Sequence, residues 1–180
     1  MHDELRTANL LGAASLALSD VVVAGAIAVA GTSSSGAAAL VVLSTDAGLS
    51  VTELGRRVGL SQSAASRMVE SMEKQGLLRR ETSGRGWVHV QLTSLGAQAT
   101  RSLLASRSDV LRQALHHLDD REQEQLGQLM SKLLTGLYRP GDGERICRLC
   151  DRGVCVRDGE TCPVGEADRD HRVTQQCDHG

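Results

Sequence analysis

There is no phenylalanine in these 180 residues, and only one tryptophan and one tyrosine. A core must therefore come from Leu, Val, Ala and Met, which favours closely packed helices over an aromatic-rich sandwich. An excess of positive charge is missing too. Twenty Lys and Arg stand against 22 Asp and Glu, a net charge of −2 that excludes a globally basic polyanion binder. The N-terminus, Met1-His2-Asp3-Glu4, lacks the positive region of a signal peptide. The longest uninterrupted apolar run, Val21 to Ala30, is 10 residues, short of the length that crosses a bilayer core of about 30 Å. These absences predict a cytoplasmic protein with no membrane segment. No cysteine precedes Cys147, so a disulfide framework spread through a secreted domain is excluded. No hydrolytic constellation is visible either. Ser33-Ser34-Ser35 have no His and Asp pattern around them, and no Gly-rich phosphate loop follows a strand, so no enzyme activity is expected.

What is present centres on Gly59 to Thr93. Ser61 is placed to cap a helix by accepting an orphaned backbone N–H of the first turn. The helix runs to about Gln75, with Gly76 as its stop. Ala65, Met68, Val69 and Met72 fall at i, i+3, i+4 and i+7, one buried stripe. Gln62, Ser63, Ser66, Arg67 and Lys74 are left outside. Short hydrogen-bonding groups and cations of this kind fit a major groove and its phosphates. Leu77 to Glu81 and Trp87 to Leu92 read as the two strands of a hairpin, with Arg85 at the tip. A cation held there suits a narrow minor groove. Between Val51 and Leu92 seven Arg and Lys outnumber four Asp and Glu, a local positive balance on an acidic chain.

Upstream, Leu5 to about Ala30 reads as one long helix, and its all-apolar second half calls for cover on every side. A second copy of the chain is the simplest cover. Ser34 or Ser35 caps a helix over Ala37 to Thr45, and Asp46 to Leu49 forms a loop with a short edge strand. Ser50 and Glu53 stand at capping-box spacing and start a helix to Val58. Arg56 and Arg57 on it are candidate phosphate clamps. Downstream, Ser94 to about His117 and a helix capped by Asp119, with Glu122 three residues on, carry leucine stripes that end before Pro140. Together with the first helix they are expected to form a homodimer interface, presenting two reading helices to a pseudo-palindromic site on double-stranded DNA. His116 and His117, at a helix end, are read as structural.

The order of capped helix, helix, SQSAASRMVESMEKQGLLRR, short hairpin and VQLTSLG resembles the winged helix-turn-helix of MarR-family transcriptional regulators over about residues 5 to 138. Leu60-Ser61, Ser66-Arg67, Gly76-Leu77-Leu78 with Arg80, and Leu92-Thr93 with Gly96 carry the likeness. The family's wing usually places an Asp and two basic residues where this chain has Gly84, Arg85 and Gly86, so only Arg85 carries over as a wing contact. The resemblance implies a mainly α fold with a small β-hairpin wing. It also implies a homodimeric regulator, usually a repressor, with a small-molecule cleft between the dimerisation helices and the reading lobe. With so few aromatic groups to stack on a ligand, a redox or metal signal through the cysteines is favoured over a small-molecule effector. The expected division is residues 1–45 for N-terminal dimerisation helices, 46–93 for the winged helix-turn-helix, 94–138 for C-terminal dimerisation helices and 139–180 for a Cys-rich tail.

That tail holds seven Arg and nine Asp and Glu and too little apolar periodicity for a core of its own, so it needs a tie to be ordered. Cys147, Cys150, Cys155 and Cys162 form a C-x2-C-x4-C-x6-C array, with Gly153 and Gly159 in the intervening turns. Four thiolates within so short a span can close on one metal centre. Zinc takes four thiolates in a tetrahedron and supplies folding energy. An iron–sulfur cluster takes the same four, and Pro163 after the last cysteine occurs in ferredoxin-type runs. The arrangement is also similar to the C-terminal four-cysteine cluster of SoxR-type redox regulators. Both metals stay open, as does a thiol–disulfide switch. Cys177, with His171 and His179, lies apart and is not expected to be a primary ligand. Two other functions remain: an iron–sulfur redox or electron-transfer protein with the helices as scaffold, and a zinc-stapled adaptor for another protein.

Overall fold

The computed structural model describes the backbone of residues 2–82, 84 and 86–177, and the side chains of 3–82, 84 and 86–173. In order, the elements are α1 (His2–Ala30), α2 (Ser34–Thr45), α3 (Val51–Val58), α4 (Gln62–Lys74), β1 (Leu78–Thr82), β2 (Val88–Leu92), α5 (Ser94–Leu115) and α6 (Asp120–Leu137). The tail adds α7 (Gly143–Ile146), α8 (Arg152–Cys155), a 3₁₀ turn at Arg157–Gly159, and α9 (Pro163–Cys177). The chain is mainly α with one small antiparallel hairpin, as the sequence predicts.

The middle of the molecule is α2. Its residues 36–43 are all buried, and it packs against α1, α5, α3, α4 and β2. Gly36, Ala37, Ala38 and Ala39 let those neighbours approach closely, while Leu40 and Leu43 fill the space beyond. Leu54, Val69, Met72, Val90 and Leu103 complete the core from the surrounding elements. Full burial of a side chain such as Leu40 is worth about 1.5–3 kcal/mol. One expectation for this region changes. The cap of α2 is Ser33, whose hydroxyl accepts the Gly36 amide at 3.1 Å, rather than Ser34 or Ser35. Helix α2, grouped by sequence with the dimerisation helices, is buried within the chain from Gly36 to Leu43. The expected edge strand at Leu49 is a single bridge, in which Val90 N donates to Leu49 O at 2.8 Å.

The outer helices are the reverse. Among the described residues of α1, Ala26 and Ala30 are the buried ones; one side lies along α5, with Gly25 opposite Ser106. Leu5, Leu10, Leu16 and Val21 are each at least half exposed. Over Asp3–Ala30 the mean hydropathy reaches 2.0, so α1 is long and apolar enough to cross a membrane. The 10-residue run understated it, because isolated Ser15, Ser19 and Asp20 interrupt the run and not the helix. No residue of α6 is buried, and Leu129, Met130, Leu133 and Leu137 form an exposed stripe. Its start is as expected: Asp119 Oδ1 accepts the Glu122 amide, and Glu122 Oε2 accepts the Asp119 amide, both at 2.9 Å.

The tail is more ordered than its composition predicts. Tyr138 and Val164 are buried against each other's surroundings beside Gly143, and Tyr138 Oη donates to Asp168 Oδ1 at 2.6 Å. This seats α9 against α6. Leu149 packs on the main core.

Candidate nucleic-acid interface

Helix α3, the Gly59 turn and α4 form the helix-turn-helix. Ser50 Oγ accepts the Glu53 amide at 3.1 Å to start α3, and Gly59 closes it at φ 77°, a left-handed position that favours glycine. Gly55 lies against Ala65, where an added Cβ would come within 2.6 Å, so α3 and α4 cross in close contact. Ser61 caps α4 by accepting the Ala64 amide. The buried face of α4 is Ala65, Met68, Val69 and Met72, the stripe expected from spacing. Gln62, Ser63, Ser66 and Arg67 are exposed together on the opposite side. In the hairpin Leu78 pairs with Leu92 and Thr82 with Val88. The two strands are joined by residues 83–87, where Arg85 lies outside the described residues.

The cations separate into two groups. Among the described residues Arg67 makes no ion pair. Lys74 is bound to Glu70 at 2.8 Å, and Arg80 to Glu73, which also accepts the Arg80 amide at 2.9 Å. Arg56 and Arg57 depart furthest from their expected role. Glu53, rather than completing a capping box, holds both of them, with Arg56 Nη2 at 2.7 Å and Arg57 Nε at 2.9 Å. Asp46 binds Arg57 from the loop before α3. Glu144 of the tail then reaches both, its Oε1 lying 3.0 Å from Arg57 Nε. Arg57 is only 18% exposed. In the structure both residues are paired with carboxylates, and Arg57 is turned toward the tail.

The hydrogen bonds from Arg56 and then Arg57 hold the Glu53 carboxyl down to about 2, against an ordinary 4.5. The folded chain thus binds that proton less well than the unfolded chain, so the contribution of Glu53 is complete above the ordinary value and is lost as pH falls toward 2. Acid denaturation followed by circular dichroism is expected to show a shallower limb between pH 4.5 and 2 in Glu53→Gln than in the parent. An unchanged limb would mean that Glu53 gains nothing from its two arginines.

Glu144 belongs to the same structure as the cysteines. A cavity of about 110 Å³ is lined by Cys147, Cys150, Cys155 and Cys162, by Arg57, Asp46 and Glu144, and by Val41, Val42 and Thr45 of α2. The cysteines are free thiols. The neighbouring Cys150, then burial, then Cys162 push the Cys147 thiol well up. Cys150, stabilised as thiolate by Cys147 and by Arg107 and Arg148, is held down to about 6. Burial pushes Cys155 up. Among the described residues no set of three or more His, Cys, Asp or Glu is drawn close enough to hold a metal ion as it stands. The side chain of Cys177 lies outside those described. Sequence reasoning missed Glu144 and Asp46 as partners of the α3 arginines, and Arg57, Arg107, Arg148 and Arg152 around the thiols. Glu144 lies 88 residues from Arg56, and nothing local signals such a pair. The i, i+3 and i+4 spacing of Glu53 to Arg56 and Arg57 was the one available sign.

Residues 31–86 match the sequence profile of the MarR family. The transcriptional repressor MprA of Escherichia coli (strain K12) is 35% identical over 75 residues, which is 41% of this chain. The matched stretch spans 43% of that relative's length. Among solved structures, a MarR family protein from Bacillus stearothermophilus superposes with a TM-score of 0.69 at 20% identity, covering 77% of this chain and 97% of that one. MepR, a transcription regulator of the Staphylococcus aureus multidrug efflux pump MepA, gives 0.65 at 15% identity, covering 73% and 98%. The fold is the MarR-type winged helix.

Proposed function

We propose that this chain is a MarR-family transcriptional regulator: a cytoplasmic homodimer that reads a pseudo-palindromic operator in double-stranded DNA and acts as a repressor, with no enzymatic role. The observation that carries this reading is the exposed Gln62, Ser63, Ser66 and Arg67 face on α4, opposite a buried stripe and beside a hairpin. Profile match and fold both fall on this segment. Repression is the activity named for the MprA relative. A second copy covering the apolar sides of α1 and α6 accounts for both exposed stripes, and for an α1 apolar enough for a membrane yet docked along α5.

In this reading Arg67 is the principal cation of the reading helix, because Lys74 and Arg80 already have carboxylate partners. Arg85 is retained as the wing contact from the family resemblance. Selection from a random duplex pool is expected to return half-sites about one DNA turn apart. On the selected duplex, Arg67→Ala should cost about 1–3 kcal/mol, with a changed preference at one position if Arg67 reads a base or a salt slope smaller by about one if it binds phosphate. Unchanged affinity and slope would remove Arg67 from the interface. Failure to enrich any duplex would overturn the reading and return the winged helix to a scaffold or protein-binding role.

A further inference from the structure

We propose that Cys147, Cys150, Cys155 and Cys162 are the ligands of one tetrathiolate metal centre that staples the tail to α2 and α3. Three observations support it together. First, four cysteines drawn from α8 and the turns around it line a single cavity rather than pairing off on separate surfaces. As the thiols stand among the described residues, no three are close enough to hold an ion, so binding draws them inward. Second, four thiolates around a divalent ion carry a net double negative charge, which calls for a cation at hand. Arg152 lines the cavity, as does Arg57, which is at the same time paired with Asp46, Glu53 and Glu144. Third, residues 139–162 include few buried apolar groups, Tyr138 and Val164 lying at their borders. A segment this polar needs the folding energy that metal ligation supplies.

Binding would proceed by loss of the thiol protons and closure of the Cys155 side, the one cysteine of the four that is exposed. The centre then fixes the short segment from Glu144 to Cys147, and with it the carboxylate that spans Arg56 and Arg57. This assignment does not depend on DNA binding. A zinc ion and an iron–sulfur cluster share the same thiolate chemistry here, so the test includes an arm for each.

The full-length protein, isolated without oxygen, would be analysed for zinc, iron and sulfide, then emptied with a chelator and titrated with Co²⁺ as the spectroscopic probe. The expected results are about one zinc per chain, or iron with sulfide and visible absorption, and an intense tetrahedral cobalt–thiolate spectrum in the titration. Pale, six-coordinate cobalt or a metal-free isolate that takes up no ion would overturn the proposal. Cys147→Ser, Cys150→Ser, Cys155→Ser and Cys162→Ser should each lower metal content at least tenfold, whereas Cys177→Ser should retain it. Full occupancy in Cys155→Ser, or its loss in Cys177→Ser, would overturn the ligand set. Because the cobalt arm uses the unaltered chain, the result stands even if one of the serine variants fails to fold.

Discussion

Gly96→Ala is expected to destabilise the folded protein by about 3 kcal/mol or more, at the upper end of what overpacking costs. An added Cβ would meet the Leu77 carbonyl oxygen at 2.1 Å and its carbon at 3.1 Å. That carbonyl has no freedom to retreat. Thr93 donates to it from both its amide, at 3.1 Å, and its hydroxyl, at 3.2 Å, and the same hydroxyl bonds the Gly76 carbonyl at 2.6 Å. On its other side Leu77 donates its amide to Met72 at the end of α4. Gly96 is therefore the point where α5 can rest directly on the joint between α4 and β1. The clash is with backbone, so no change of rotamer relieves it. Removing the neighbouring methyl, in Ala97→Gly, should cost only the helix propensity of one glycine, about 0.5–1 kcal/mol. Chemical denaturation of the two variants decides the matter. Equal small losses would mean that the α4–β1 joint yields, and that the junction is softer than its hydrogen bonds indicate.

The second large effect concerns assembly. Leu129→Lys combined with Leu133→Lys is expected to leave a folded monomer and to lower operator affinity by about 10²–10⁴-fold. Both leucines are exposed in the single chain, 57% and 40%, so their replacement removes little from the protomer's own core. In the proposed dimer, what is lost is the tethering of one reading helix to another, which makes the second half-site encounter intramolecular and supplies an advantage of that size. Sedimentation gives the mass and a shift assay the affinity. A variant that remains dimeric with unchanged DNA binding would move the interface off α6, leaving α1 as the surface to alter next.

The sequence was most legible where an element's chemistry is local. Ser61, the stripe from Ala65 to Met72, the Gly76 stop and the reciprocal Asp119–Glu122 cap all depend on residues within a turn or two of each other, and the structure has them as spacing predicts. Competing local choices were harder. Ser33, Ser34 and Ser35 offer three equivalent hydroxyls, and spacing alone does not choose among them; in the structure Ser33 is the one that accepts the Gly36 amide. Glu53 had two local options as well. It stood ready for a capping box, yet two arginines one turn on offered stronger, charged partners. The carboxylates that gather on α3 were illegible because Glu144 arrives from the tail. The tail's position itself was inferred from chain order, beside the dimerisation helices. Its α9 does lie against α6, but the cysteines face α2 and α3.

The complete enclosure of α2 sets a mechanical tolerance on the molecule. On one side it bears on α1 and α5, on the other on α3, α4 and β2, and the stretch from Gly36 to Leu43 is buried throughout. Close-packed elements exchange between discrete fits rather than deforming smoothly. A change in how α1 and α5 cross must therefore reach the reading helix as a turn of a rigid body, with α2 behaving as a keyed shaft. In the proposed dimer, the distance between the two reading helices would then follow the crossing of the outer helices, in steps rather than by degrees.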